Sequence, residues 1–209
     1  MTSARSTDLC HVSGQDNDSY MLGTRTRKAE TEAEGVFFDW RFTASDGSPH
    51  PALCPCCGRK TDPSFIDPAF RVTRKRFDLS HTYDGYTIAS RIFREACQTE
   101  HGAGLEFEPI RAESEFFLVS ANRILSVDRD SPGLRFLYPC PVCREYAGVF
   151  GISHLRFLDA DPDAIGWWRT DIQFAQAHQQ QPLLVVGKPT AKWLRARKFK
   201  GVDVVPFRA

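Results

Sequence analysis

The residues of this chain best placed to do chemistry are two short cysteine pairs, Cys54 and Cys57 in LCPCCG and Cys140 and Cys143 in YPCPVC. Two residues separate the thiols of each pair, the spacing at which a tight turn points both sulfurs at one ion. Two such turns supply the four thiolates of a closed tetrahedral site. Cys54, Cys57, Cys140 and Cys143 are therefore the expected ligands of one structural Zn2+ per chain. The site would tie an early segment to a late one, because 82 residues lie between Cys57 and Cys140. Closing so long a loop costs roughly 4 kcal/mol of chain entropy. A structural zinc, at ~10–16 kcal/mol of apparent binding free energy, exceeds that cost.

Other chemistries compete for the same residues. A redox dithiol sits at a helix N-terminus after a strand, and neither pair has such a helix behind it. PCPVC matches half of a zinc-deaminase signature, but the other half is His-x-Glu, and no histidine here has glutamate two positions on. VVGKPT at Val185–Thr190 lacks the first glycine of a phosphate-binding loop, and Pro189 removes an amide donor. The six histidines have no spacing suggestive of a second metal; His50 or His154 could enter the zinc shell, but four cysteines already fill it. No nucleophile–base arrangement is evident, so the chain reads as a binding protein rather than an enzyme. Cys56 reads as a spectator turned away from the metal, with exchange for Cys54 or Cys57 as the alternative. Cys10 and Cys97 read as free thiols.

The elements that must position these cysteines follow from patterning. Residues 1–35 are polar and aperiodic and read as a disordered tail, leaving 36–209 as a single α+β domain that includes the zinc site. VFFDWRF at 36–42 reads as the first strand. A helix is expected from an N-cap at Asp84, with Ile88, Ala89, Ile92, Phe93, Ala96 and Cys97 recurring at three- and four-residue steps. GLEFEPI (Gly104–Ile110) then reads as a strand. The C-terminus repeats this order: LLVV is a strand, Pro189 opens the helix TAKWLRARK, and GVDVVPF (Gly201–Phe207) closes as a strand. The two strand entries share the template Gly, apolar, acid, apolar, any residue, Pro, apolar. SEFFLVSANRILSVD supplies further strands. LRFLYPCPVC…AGVFGI reads as a hairpin with the second cysteine pair at its tip. The expectation is a largely antiparallel or mixed sheet with a few helices and the zinc site at its edge.

Composition limits the partners. The 209 residues carry 27 basic and 26 acidic side chains, a net charge of +1. That balance gives no long-range field for nucleic acid or an anionic membrane. No apolar signal region follows Met1, which points to the cytoplasm, where seven cysteines favour metal over disulfides. Two surface features could meet a protein partner. Asp159, Asp161 and Asp163 form an acidic loop, and Trp167 and Trp168 follow it, residues of a type favoured at binding hot spots. The competing readings are an ordinary solvated loop, and core packing of at least one indole.

The chain resembles a family of bacterial polymorphic-toxin immunity proteins of the double-CxxCG type. The resemblance rests on CPCCG at Cys54–Gly58, on GLEFEPI followed by SEFFLVSANRILSVDRDSPG, on PCPVC, and on the tail WWRTDIQFAQ…PLLVVGKPTAKWLRARKFKGVDVVPF. These run in the family's order over most of residues 36–209. Arg144 departs from the pattern by standing where glycine follows the second pair, which puts the turn geometry there in question more than metal binding. The resemblance implies a non-enzymatic protein that binds and neutralises a cognate toxin by stoichiometric inhibition, with zinc as scaffold. The acidic loop would then suit the basic cleft of a nuclease toxin. A zinc-ribbon module that contacts nucleic acid is the alternative.

Overall fold

The computed structural model describes residues 9–16, 51–65, 72, 75–82, 85–110 and 113–207. The strand expected at 36–42, the cap expected at Asp84, His50, and the parts of the expected tail at 1–8 and 17–35 lie outside the described residues. The described strands are β1 (Cys10–Asp16), β2 (Leu79–His81), β3 (Thr87–Ser90), β4 (Leu105–Ile110), β5 (Glu113–Ala121), β6 (Ile124–Leu125), β7 (Arg135–Pro139), β8 (Tyr146–Phe150), β9 (Trp167–Gln176), β10 (Gln181–Val186) and β11 (Val202–Pro206). Helix α1 covers Arg91–Thr99 and α2 covers Lys188–Arg197.

The strands join in the order β4-β5-β3-β2-β1-β10-β9-β8-β7, with β11 also on β1 and β6 also on β9. Pairing is antiparallel except for β1–β2 and β6–β9. This is the expected mixed α+β class, and the second cysteine pair lies at the sheet's β7–β8 edge. Along β10 the pleat divides the core, since alternate side chains point to opposite faces. Leu184 and Val186 join a cluster with Phe93, Cys97, Trp167, Trp193 and Leu194 on the helical face. Val185 joins Val149, Leu155, Phe157, Ile172 and Phe174 on the other. A third cluster, containing Ala52, Leu53, Tyr86, Ile88 and Phe116, backs the first cysteine pair.

Two expectations are corrected. Within the supposed tail, Cys10–Asp16 forms a strand inside the sheet. It pairs with β10 at Cys10↔Val186, with β11 at Cys10↔Pro206 and with β2 at Gln15↔Ser80. Backbone pairing to several neighbours, with Leu9 and Cys10 buried at its start, holds a segment whose composition alone reads as tail. Cys10 is accordingly a core thiol.

Helix α1 also begins later than its periodicity implies. Ile88 and Ala89 lie in β3, hydrogen-bonded between β2 and β5. Ser90 is the actual cap, its hydroxyl accepting the Phe93 amide at 3.2 Å. Phe93 and Cys97 face the core as expected, whereas Ile92 is 66% exposed. The closing strand–helix–strand follows its expected path. Gly104 and Gly201, the two template glycines, both adopt left-handed φ, at 93° and 78°.

Candidate metal centre

Each cysteine pair sits at the tip of a small antiparallel turn, and the two turns are built alike. In the first, Cys54 N–H donates to the Arg59 carbonyl at 2.8 Å and Gly58 N–H donates to the Cys54 carbonyl at 2.8 Å. In the second, Cys140 N–H donates to the Glu145 carbonyl at 2.8 Å and Arg144 N–H to the Cys140 carbonyl at 2.9 Å. The flanks match as well, with Leu53 bridged to Lys60 and Pro139 paired with Tyr146. Arg144 takes the place of Gly58 in this scheme. Its φ of 62° compares with 70° at Gly58, so the arginine adopts the left-handed turn that glycine would supply. The second turn therefore keeps its geometry without the glycine.

The two tips meet. Cys54 Sγ lies 3.7 Å from Cys140 Sγ, and Cys57 Sγ lies 3.6 Å from Cys143 Sγ. All four sulfurs lie within 4.8 Å of one another. A disulfide needs about 2.05 Å between sulfurs. Four sulfurs at 2.3 Å from a central ion stand about 3.8 Å apart along each tetrahedral edge. The observed separations fit the second arrangement, so these four residues could hold a metal ion. Cys54 and Cys140 are buried, while Cys57 and Cys143 are partly accessible.

The electrostatics repeat the symmetry. Burial opposes ionisation of Cys54, yet the amides of Cys57 and Cys56 together hold its thiol below the ordinary value. At Cys140 the Cys143 amide, with that of Val142, prevails over burial and brings the thiol down to about 6. Burial raises Cys57 and Cys143, against one amide each from Arg59 and Glu145; the other sulfurs add to the rise at Cys57, whereas at Cys143 the bond with Cys57 lowers it and those with Cys140 and Cys54 raise it. Each turn thus offers one thiol that ionises readily and one whose proton a cation must displace.

Cys56 stands outside the four-sulfur group and is exposed. Its thiol is raised above the ordinary value, first by its interaction with Cys140 and then by burial.

Sequence reasoning missed the residues that join the two turns. Gln180 is 1% exposed and reaches both: Arg59 Nε donates to its Oε1 at 2.8 Å, and its Nε2 donates to the Tyr146 carbonyl at 3.0 Å. Arg59 and Glu145, the equivalent positions after each pair, approach to 3.9 Å. Lys60 is buried beside the first turn, its ammonium 4.3 Å from the Tyr86 ring centroid and 3.3 Å from the Gly85 carbonyl. His178, buried nearby, is pushed down to about 4 by burial and then by the Lys60 charge. A polar residue after a strand carries no local signal that it will link two distant loops.

The expected partner residues separate. Asp159, Asp161 and Asp163 lie on an exposed loop, where Asp161 accepts the Asp163 amide at 3.1 Å and Asp163 approaches Lys188 at 3.8 Å. Trp167 is corrected to a core residue, 0% exposed, with its indole N–H donating to the His101 carbonyl at 3.0 Å. Trp168 is partly exposed beneath the Arg123 guanidinium. Cys97 is a buried free thiol. Among the described residues, no helix is long and apolar enough to cross a membrane.

No protein-family model, curated protein or solved structure matches the chain.

Proposed function

We propose that Cys54, Cys57, Cys140 and Cys143 bind one zinc ion, that this zinc is architectural, and that the protein is a cytoplasmic immunity protein inhibiting a cognate toxin by stoichiometric binding. The observation that carries the reading is the four-sulfur set itself. Four thiolates complete a tetrahedral shell, so no coordination position is left for substrate or activated water. Such a centre holds two turns in register and does no chemistry of its own. Soft sulfur donors in this geometry suit zinc or iron, and zinc adds no redox reactivity to a scaffold.

A binding role draws support from what surrounds the site. Of ten large hydrophobic side chains exposed among the described residues, five (Leu137, Tyr138, Val142, Tyr146 and Phe150) lie on the hairpin that carries the second cysteine pair. Metal at the tip would hold that hairpin rigid, which lowers the entropic cost of presenting an apolar surface. The acidic loop with Asp159, Asp161 and Asp163, flanked by exposed Leu158 and Ile165, is a second surface a basic toxin cleft could meet. Trp168 borders it; Trp167 is unavailable. The ordered motifs that resemble the double-CxxCG immunity family remain the reason for naming a toxin as the partner.

The test is co-expression with the toxin domain encoded beside this gene. The reading expects growth rescue and a one-to-one complex on size exclusion. A toxin that stays active and unbound in the presence of folded, metal-loaded protein overturns it.

A further inference from the structure

The chain's basic residues are not spread evenly. Arg71–Arg76 holds four of them and Lys192–Lys200 holds five, with no acid in either run, so two short segments carry nine of the 27. The fold sets the ends of these runs side by side. The amides of Asp78 and Leu79 both donate to the Lys200 carbonyl, at 2.8 and 3.4 Å, and the Lys200 amide donates to Asp78 Oδ2 at 2.8 Å. Gly201 locks the approach, since a Cβ there would stand 2.6 Å from the Leu79 carbonyl oxygen. Where Arg76 meets Lys200 opens a concavity of about 540 Å³ lined by Arg76, Phe77, Lys200 and Gly201.

Among the described residues, the cations at this opening lack the carboxylate partners that the fold gives to others. Arg91, Arg129, Arg156 and Arg197 each meet a carboxylate. Among the described residues no carboxylate forms an ion pair with Arg76, Lys198 or Lys200. The neighbouring acid, Asp78, already accepts the Ser90 hydroxyl at 2.9 Å through one oxygen and the Lys200 amide through the other. Lys198 ends α2 in the left-handed conformation, φ 53° and ψ 42°, a position that glycine fills at lower cost. Phe199 is packed against Phe93 and Trp193, which fixes the exposed lysines on either side of it.

We propose that this concavity is a docking site for a carboxylate-rich segment of a partner protein. Resting on the reading of the protein as a stoichiometric inhibitor, it receives an acidic segment of the toxin. Arg76 offers a planar fork matched to a carboxylate, and Lys200, which lines the concavity with it, adds a point charge, while exposed Lys198 two residues earlier adds to the local positive charge. Nucleic acid fits less well. The ring at the site, Phe77, already has one face under the Arg76 guanidinium at 4.6 Å, which leaves a base less surface to stack on. A net charge of +1 also gives no long-range field to draw in a phosphate backbone.

Fluorescence anisotropy with the full chain at low salt tests this, using a labelled glutamate-rich peptide and, separately, labelled oligothymidylate. The peptide is expected to bind, and Arg76→Glu with Lys200→Glu to weaken it about tenfold or more. Arg135→Glu, on the far edge strand, is expected to change it less than about twofold. Lys198→Gly keeps the backbone conformation at lower strain, so it is expected to melt no earlier than wild type yet bind about threefold more weakly. Absent peptide binding, or binding indifferent to the charge reversals in folded protein, overturns the site. So does oligothymidylate binding more tightly than the peptide and being lost in the same variants. The two readings fail separately. If the charge-reversed protein neutralises toxin as well as wild type, the docking site falls and the inhibitor stands. If the peptide binds as expected but no neighbouring toxin is neutralised, the inhibitor reading falls alone.

Discussion

The two cysteine turns share one hydrogen-bond scheme but are supported differently. The first, around Cys54 and Cys57, has among the described residues a single bridge, Leu53 to Lys60, and leans on a small apolar cluster behind it. The second, around Cys140 and Cys143, caps a true hairpin, β7 on β8, which is itself paired with β9. A metal shared between them would do unequal work. For the second turn it would fasten the tip of a structure already held by backbone pairing. For the first it would attach a short loop to the body of the sheet.

The largest expected effect follows from that inequality. A structural zinc contributes ~10–16 kcal/mol of apparent binding free energy, comparable to the whole stability of a domain. Chelation is therefore expected to destabilise the protein severely. Hydrogen exchange under mild chelation should release the amides of residues 51–65 well before those of β7 and β8. Equal release of both turns would show that the hairpin gives the second no independent hold.

Acid should also single out the first turn. His178, beside Lys60, is held down to about 4 by its burial against an ordinary 6.5. Above pH 6.5 the ring is neutral whether the chain is folded or not, and it contributes nothing. As pH falls from 6.5 toward 4, the unfolded chain takes up a proton that the folded one refuses. Stability then drops by on the order of 3 kcal/mol from this residue. Urea titrations of wild type and His178→Gln across that range should show a shallower loss in the variant.

Gln180 tests the link between the turns. Gln180→Ala leaves Arg59 and the Tyr146 carbonyl without their partner in a buried setting, a loss of about 2 kcal/mol. The loss should shrink when the first turn is already detached by chelation, because the bond then joins nothing. The smallest effect compares equivalent positions. Arg144→Gly relieves a left-handed arginine and should stabilise by about 1 kcal/mol, while Gly58→Ala imposes the same strain and should destabilise by a similar amount. Thermal melts of the two variants, moving in opposite directions, would establish that both turns need the same backbone.

The cysteine site was legible in the sequence because its signal is local: two-residue spacing, twice, with turn residues around each pair. The β7–β8 hairpin and the closing β10–α2–β11 unit were legible for the same reason, through alternation and a proline in the first helical turn. Three features were not. Cys10–Asp16 lacks apolar patterning and becomes a strand only because β10, β11 and β2 present partners from distant parts of the chain. Ile88 and Ala89 fit a helical period, but pairing on both sides captures them as strand. Gln180 is ordinary by type and neighbourhood, and its role exists only once residues 59 and 146 have been brought together. Arg144 reverses the pattern: its type argues against the turn that its neighbours impose.

The central claim is that one metal ion joins both turns. Native mass spectrometry with elemental analysis addresses it directly, on wild type, Cys54→Ser and Cys140→Ser. One zinc per chain in wild type, lost when a cysteine is removed from either turn, is the expected result. No metal in folded wild-type protein, or zinc retained at full occupancy in both variants, would contradict it.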